Sequence, residues 1–119
     1  MAAKHNFVIE QGATFPLYIK WQDPDGNPID LTGYRIRMQI RQTPGSASTL
    51  LSFDSSSLTT GQTIGSLDSA GVIDLELSAA LTAALSFTLA EWDLTATSAG
   101  GEVTRLVEGK ASVSPGVTR

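Results

Sequence analysis

Hydrophobic and polar residues alternate along four segments of the chain. The clearest segment covers residues 34–41. Its apolar parity is Tyr34, Ile36, Met38 and Ile40, and its polar parity is Arg35, Arg37, Gln39 and Arg41. The same period of two occurs over residues 15–22, 73–78 and 92–97. Because successive side chains of a strand point to opposite faces of a sheet, each segment predicts a strand with one buried and one solvated side. Four such strands predict antiparallel sheet with one face in water.

Turn-forming residues separate these strands, and shorter patterns predict further strands. Asp-Pro-Asp-Gly-Asn-Pro at residues 23–28 combines a proline that presets φ with a Gly-Asn pair that tolerates positive φ. Ala-Gly-Gly at residues 99–101 favours a tight hairpin. Weaker strand patterns cover residues 7–10, 50–53, 62–67 and 103–113. We expect a bulge or bend at Gly109, because the apolar parity shifts along the last of these. The total of seven to eight short strands predicts an all-β antiparallel sandwich.

One segment departs from the alternation. Residues 78–85 are rich in Ala and Leu, and Leu81 and Leu85 are four positions apart, on one face of a helix. Ser78 is a suitable N-cap, so the segment predicts one or two helical turns that close an end of the sandwich. Residues 42–48 and 54–60 are rich in small polar residues, Gly and Pro, and we expect both to be loops.

Composition narrows the class of protein. The chain has 119 residues, enough for a single domain over residues 1–119, with a flexible arm expected at 1–6 and an extended arm at 114–119. Its 8 Lys plus Arg against 12 Asp plus Glu give a net charge of −4, which argues against a nucleic-acid partner. The absence of Cys excludes disulfides and thiolate metal sites. No apolar run approaches the roughly 18 to 20 residues of a membrane span, so we expect no membrane partner and synthesis in the cytoplasm.

The candidates for chemistry are few. His5 is the single histidine, and we expect it to be solvated in the N-terminal arm. Residues 23–27 offer three oxygen side chains, but they lack the Gly and the bidentate acid of an EF-hand loop, so a turn is the favoured interpretation. Two acid pairs lie on strand faces, at residues 74 and 76 and at 91 and 93, without a cleft for glycoside hydrolysis. We therefore expect no enzyme, and no catalytic, cofactor-binding or metal-binding residue.

Arginine is concentrated on one face of the best-defined strand, at Arg35, Arg37 and Arg41. The favoured interpretation is cross-strand pairing with an acidic neighbour, at roughly 0.2 to 1 kcal/mol a pair. The alternative is a contact with an acidic patch on a partner, since Arg is enriched at interfaces. The C-terminal arm is a second candidate for partner contacts, because Pro115 cannot continue a ladder. The candidate interface residues are therefore Arg35, Arg37, Arg41, Pro115, Val117 and Arg119.

Two motifs of the chain are the most specific: the turn Asp-Gly-Asn-Pro-Ile-Asp-Leu-Thr-Gly at residues 25–33 and the hairpin Gly-Glu-Val-Thr-Arg-Leu at 101–106. They are accompanied by Gly-Val-Ile-Asp-Leu-Glu-Leu-Ser at 71–78 and Glu-Trp-Asp-Leu-Thr-Ala-Thr at 91–97. Together these motifs resemble a family of small structural proteins encoded among the tail genes of tailed phages and prophages. The pattern, which covers roughly residues 7 to 119, is also similar to the immunoglobulin-like N-terminal module of phage baseplate upper proteins.

The resemblance implies an immunoglobulin-like β-sandwich that is a structural part of a virion, in the tail, the baseplate or the attachment of fibres. It implies protein–protein contacts with other virion proteins, a homo-oligomer in the particle and no enzymatic residues. Two alternatives remain open at this point: a head decoration protein, and a carbohydrate- or receptor-binding module. The latter uses exposed aromatic side chains, for which Tyr18 and Phe87 are the candidates.

Overall fold

The computed structural model describes residues 3–115 and is almost entirely β. Within this range there are nine strands and one short helix. The strands are β1 (Ala3–Lys4), β2 (Phe7–Glu10), β3 (Phe15–Lys20), β4 (Arg35–Arg41), β5 (Leu51–Asp54), β6 (Gln62–Ile64), β7 (Val72–Leu77), β8 (Leu89–Thr97) and β9 (Val103–Ser114). The helix α1 (Ala79–Ala83) lies between β7 and β8. All four strands with clear alternation are present, as are the weaker ones.

The strands form two sheets. The larger sheet has the order β1-β9-β8-β4-β5, with β2 also paired to β9, and the smaller has the order β3-β7-β6. Neighbours are antiparallel except for β1 and β2, which run parallel to β9. The nine strands of the described residues are one more than the upper end of the expected seven to eight. Two of them, β1 and β2, pair with the same edge strand, β9. The predicted all-β sandwich is confirmed, and its immunoglobulin-like identity stays a prediction.

The apolar parity of each strand faces one core. Ile73 and Leu75 of the smaller sheet and Ile36, Met38 and Leu94 of the larger sheet are fully buried in a single cluster. Burial of one such side chain stabilises the fold by roughly 1.5 to 3 kcal/mol. The polar parity, by contrast, forms the outer face of each sheet. The alternation therefore sets which charged residues share a surface.

The helix joins the two sheets at one end of the sandwich. Ser78 caps it as predicted, and its hydroxyl accepts a hydrogen bond from the Leu81 amide at 3.2 Å. The helix ends at Ala83, two residues before the predicted end at residue 85. Thr82 is fully buried, and its hydroxyl donates to the Ala13 carbonyl at 2.8 Å and accepts from the Gly12 amide at 3.1 Å. These two bonds hold the helix against the turn between β2 and β3.

The N-terminal segment lies along β9 instead of forming a free arm. β1 pairs with Val107 and Glu108, and the His5 carbonyl accepts a hydrogen bond from the Trp92 indole at 2.9 Å. Gly109 permits this approach, since a Cβ there would lie 2.0 Å from the His5 carbonyl oxygen. The expected flexible arm over residues 1–6 is therefore wrong for residues 3–6. The backbone hydrogen bonds that hold this segment on β9 produce no pattern of apolar and polar residues in the sequence.

The pairing irregularity in β9 lies at Leu106, three residues before Gly109, so the position predicted for the bulge is wrong. Leu94 pairs with Val107 while Thr95 pairs with Arg105, which leaves Leu106 as the extra residue. That insertion causes the shift in apolar parity seen in the sequence. β9 continues to Ser114, so the arm expected over 114–119 starts inside the strand, and residues 116–119 lie outside the described range.

Candidate functional site

The predicted arginine row is on the outer face of the larger sheet. Arg35 and Arg37 are exposed and Arg41 is half-buried, while the residues between them on β4 alternate into the core. We call Arg35, Arg37 and Arg41 the basic strip. Its strand lies between β8 and β5, so both neighbours present outward side chains beside it. The sequence therefore placed the three guanidinium groups on one surface correctly.

Asp54, at the end of β5, is the carboxylate that pairs with the basic strip. Arg35 donates to both oxygens of this carboxylate, from Nε to Oδ1 at 2.9 Å and from Nη2 to Oδ2. The Nε of Arg37 lies 3.9 Å from the same Oδ2. Ser56 donates its amide and its hydroxyl to Oδ1, at 3.0 and 2.8 Å. The Arg35 hydrogen bonds, followed by those of Ser56, hold the pKa of Asp54 well below its usual range.

Arg41 has no carboxylate partner among residues 3–115. Its guanidinium donates to the Ser46 carbonyl at 2.7 Å and to the Gln39 amide oxygen at 3.1 Å. The β4–β5 half of the face thus has three guanidinium groups and one carboxylate, an excess of two positive charges. Cross-strand ion pairing, the interpretation that the sequence favoured, therefore accounts for the contacts of Arg35 and Arg37 but not for those of Arg41.

The other half of the same face, on β1, β8 and β9, is balanced. Three cations face three carboxylates there. Lys4 lies 3.0 Å from Glu108, Arg105 lies 3.4 Å from Asp93, and Lys110 is bonded to Glu91. The hydrogen bond from Lys4, assisted by its charge, lowers the pKa of Glu108. An open depression of about 690 Å³ extends from this half to Gln39 and Arg41 of β4.

The outer face of the smaller sheet is organised differently. Asp74 and Glu76 lie two positions apart on β7, and no hydrogen bond or ion pair holds either carboxylate within the described part of the chain. Tyr18 of β3 stands in register with Asp74 and is 63% exposed. We call Asp74, Glu76 and Tyr18 the acidic face. Lys20 is exposed at the end of β3, in register with Val72.

The remaining candidates serve the fold. The Asp23 carboxylate accepts from the Asp25 and Asn27 amides at 3.0 and 2.9 Å, which is the bonding of a turn. His5 is exposed, and its ring lies edge-on to Trp92 at 6.2 Å. Phe87, unlike Tyr18, is partly buried against the core. Among residues 3–115, no three His, Asp or Glu side chains are grouped to hold a metal ion.

Sequence reasoning missed Asp54, because it placed residues 54–60 in a loop. A signal was present: Leu51 and Phe53 alternate with Ser52, so the next residue on the polar parity is Asp54. Of the other predicted interface residues, Pro115 is exposed just beyond β9, while Val117 and Arg119 lie outside the described residues. Their contacts with a partner stay a prediction.

Comparisons with protein-family models and with curated protein sequences found no match to this chain. In the described range, the single helix has five residues, and no helix is long and apolar enough to cross a bilayer.

Proposed function

We propose that the chain is a structural protein of a tailed-phage particle, placed in the tail, the baseplate or the attachment of fibres, and that it acts through protein–protein contacts. The observation that carries this proposal is the basic strip, whose guanidinium excess has no carboxylate within the described residues. Arg is a preferred residue of interfaces, where a partner supplies the missing acceptor. The turn and hairpin motifs at residues 25–33 and 101–106 resemble those of phage tail-region proteins, and this resemblance is the reason for proposing a phage particle.

The strand order supports the immunoglobulin-like part of the proposal. In constant-type immunoglobulin sandwiches, one sheet contains strands B, E and D and the other contains C, F and G. Here β3-β7-β6 corresponds to the first order and β4-β8-β9 to the second. Such a sandwich is a rigid support whose faces and edges are available to neighbours.

The mechanism would be assembly by repetition. Each contact of a charged outer face is weak on its own, because exposed ion pairs contribute about 0 to 1 kcal/mol. Symmetric copies in a ring or collar make the contacts act together, so that the sum holds the particle. A function of this kind needs rigid surfaces with defined charge and no enclosed reactive pocket.

Purified particles of the phage or prophage that encodes the chain provide the test. Quantitative mass spectrometry should detect the chain at a low copy number, a multiple of three or six, typical of tail positions. A copy number in the hundreds would instead identify the alternative, a head decoration protein. Absence of the chain from purified particles would overturn both.

A variant test addresses the basic strip itself. Arg37→Ala combined with Arg41→Ala should reduce incorporation into particles while leaving the circular-dichroism spectrum unchanged, since Arg35 keeps its bonds to Asp54. Lys4→Ala removes one exposed cation from the balanced half of the same face and serves as the control. Equal incorporation of all three proteins would contradict the role of the strip.

One observation favours a second candidate, a carbohydrate- or receptor-binding module. Tyr18 is 63% exposed beside an unpaired carboxylate, an arrangement that suits stacking and hydrogen bonding to a sugar. A glycan array would test it. Binding that disappears in Tyr18→Ala would establish the module, and an array without hits would remove it.

A further inference from the structure

The charges without a bonded partner of opposite sign differ in sign between the two outer faces. The β4–β5 half of the larger sheet has an excess of two positive charges, since Arg35, Arg37 and Arg41 share the single carboxylate of Asp54. On the smaller sheet, Asp74 and Glu76 carry two negative charges that no described residue bonds, and the exposed Lys20 lies at the end of β3 on the same face. The remaining charged pairs of the larger face are balanced, so the complementarity is local to these two surfaces.

The charges of each surface follow one strand. Residues two positions apart on one strand lie about 7 Å apart on the same face. Asp74 and Glu76 have this spacing on β7, and Arg35 and Arg37 have it on β4. Because Arg35 is already bonded to Asp54, Arg37 is the nearest guanidinium group for one of these carboxylates, and Arg41 lies four positions further along the same row. Arginine–carboxylate pairs of this kind have strict geometry and favour specific contacts.

Tyr18 is the aromatic residue of the acidic face and is suited to become buried in a contact. It lies beside Asp74 and exposes 63% of its surface, the largest exposed fraction of any large hydrophobic residue in the described chain. Tyr is enriched at the centres of interfaces, where its ring becomes buried and its hydroxyl finds a partner. A guanidinium group from the basic strip can also stack on the ring face.

We propose that the acidic face of one copy of this chain docks onto the basic strip of a second copy. The inference rests on the proposed function, assembly in a particle, and names a second copy as the partner. Because the two surfaces lie on opposite outer sides of the sandwich, the contact is head-to-tail. Such a contact leaves one free surface of each kind at the ends, so it propagates into a closed ring or an open filament.

Sedimentation velocity of the full chain tests the contact directly. We expect association that increases with protein concentration and weakens when salt is raised, because the Debye length falls from roughly 10 Å at 0.1 M to 3 Å at 1 M. A wild-type chain that stays monomeric at millimolar concentration in low salt would overturn the proposal.

Charge reversal sharpens the test. Asp74→Arg with Glu76→Arg makes both surfaces basic, and Arg37→Glu with Arg41→Glu makes both acidic. Each variant alone should associate at least about 100-fold more weakly than the wild type, because like charges then oppose each other. An equimolar mixture of the two should associate again, with the variants alternating. A mixture that remains monomeric would contradict the pairing.

Two controls separate charge and folding effects from the contact. Asp25→Arg with Glu102→Arg changes the net charge as much as the Asp74/Glu76 variant, but on loops outside both surfaces, and should associate like the wild type. The side chains of Asp74 and Glu76 have no bonded partner in the described chain, so their variant should keep its circular-dichroism spectrum even if the arginine variant does not.

Particle incorporation distinguishes this inference from the function on which it rests. A monomeric wild-type chain that is still found in purified particles would overturn the inference and leave the structural role standing. Absence from the particles would overturn the function. Loss of both self-association and incorporation in the Asp74/Glu76 variant, with the loop control normal, is the result we expect.

Discussion

The two outer faces of the sandwich use their charges in different ways. On the larger sheet, Asp54 is held by Arg35 and Ser56, and Lys110 is bonded to Glu91. On the smaller sheet, Asp74 and Glu76 have no such bonds within residues 3–115. Both faces come from the same alternation of apolar and polar residues, so the difference arises from register and not from strand formation. Charges of the first kind contribute to folding, whereas charges of the second kind are open to a partner.

The comparison implies that substitutions of the bonded charges on the larger sheet affect stability, whereas substitutions of the charges without a bonded partner of opposite sign affect association. The largest expected effect lies where β1 and β2 border the larger sheet. Gly109→Ala should destabilise the fold by about 3 kcal/mol, because its Cβ would meet the His5 carbonyl at 2.0 Å and displace that segment from Trp92. Urea unfolding followed by tryptophan fluorescence measures this change.

Gly45→Ala is the matched control for that substitution. A Cβ at Gly45 meets nothing within 4 Å, and its φ is not positive, so its unfolding midpoint should stay within experimental error of the wild type. Equal midpoints for Gly109→Ala and the wild type would show that the N-terminal segment is not held against β9.

The next expected effect compares one carboxylate from each face. Asp54→Asn should lower the free energy of unfolding by about 1 kcal/mol at neutral pH, because it removes the charge that Arg35 and Arg37 share. Asp74→Asn, the same chemical change on the acidic face, should stay within about 0.5 kcal/mol of the wild type. Denaturant titrations of the two variants compare them directly, and equal losses would remove the distinction between the faces.

The effect of Asp54 should also depend on pH. Hydrogen bonds from Arg35 and Ser56 lower its pKa in the folded chain, so its stabilisation is complete above the unfolded pKa of about 3.9 and is lost as the pH falls below that value. The difference between wild type and Asp54→Asn should therefore shrink between about pH 5 and pH 2. A difference that grows on acidification would have the wrong sign for this account.

The smallest expected effect is the coupling between Glu91 and Lys110. A double-mutant cycle with Glu91→Gln and Lys110→Gln should give a coupling free energy of about 0.2 to 1 kcal/mol, decreasing with salt. The same cycle for Asp74 and Lys20, which share no bond, should give a coupling near zero. Thermal or chemical unfolding of the seven proteins, the wild type and three variants for each cycle, provides both values.

The sequence predicted the strands because their physics is local. The alternation at residues 34–41 placed β4 within one residue of its observed start and placed its arginine row on the correct side. Ser78 was identified as a cap from its side-chain chemistry. By contrast, β1 is held by backbone bonds to Val107 and Glu108 and by the space at Gly109. Such contacts between distant segments leave no periodic pattern in either one.

The candidate site was predictable only in part, for the same reason. Strand parity placed Arg35, Arg37 and Arg41 on one surface, but which carboxylate reaches them depends on how β5 aligns with β4. Asp54 is in register with Arg37, yet the arginine that donates hydrogen bonds to it is Arg35, two positions away on β4. The unpaired state of Asp74 and Glu76 likewise depends on which side chains β3 and β6 place beside them.

Electron cryomicroscopy of the intact particle tests the central claim most directly, because it shows what covers each face. The account predicts this chain in a symmetric arrangement in the tail, with the basic strip and the acidic face buried against neighbouring subunits. Density for the chain with both of these surfaces in solvent, or no density for it anywhere in the particle, would contradict the account.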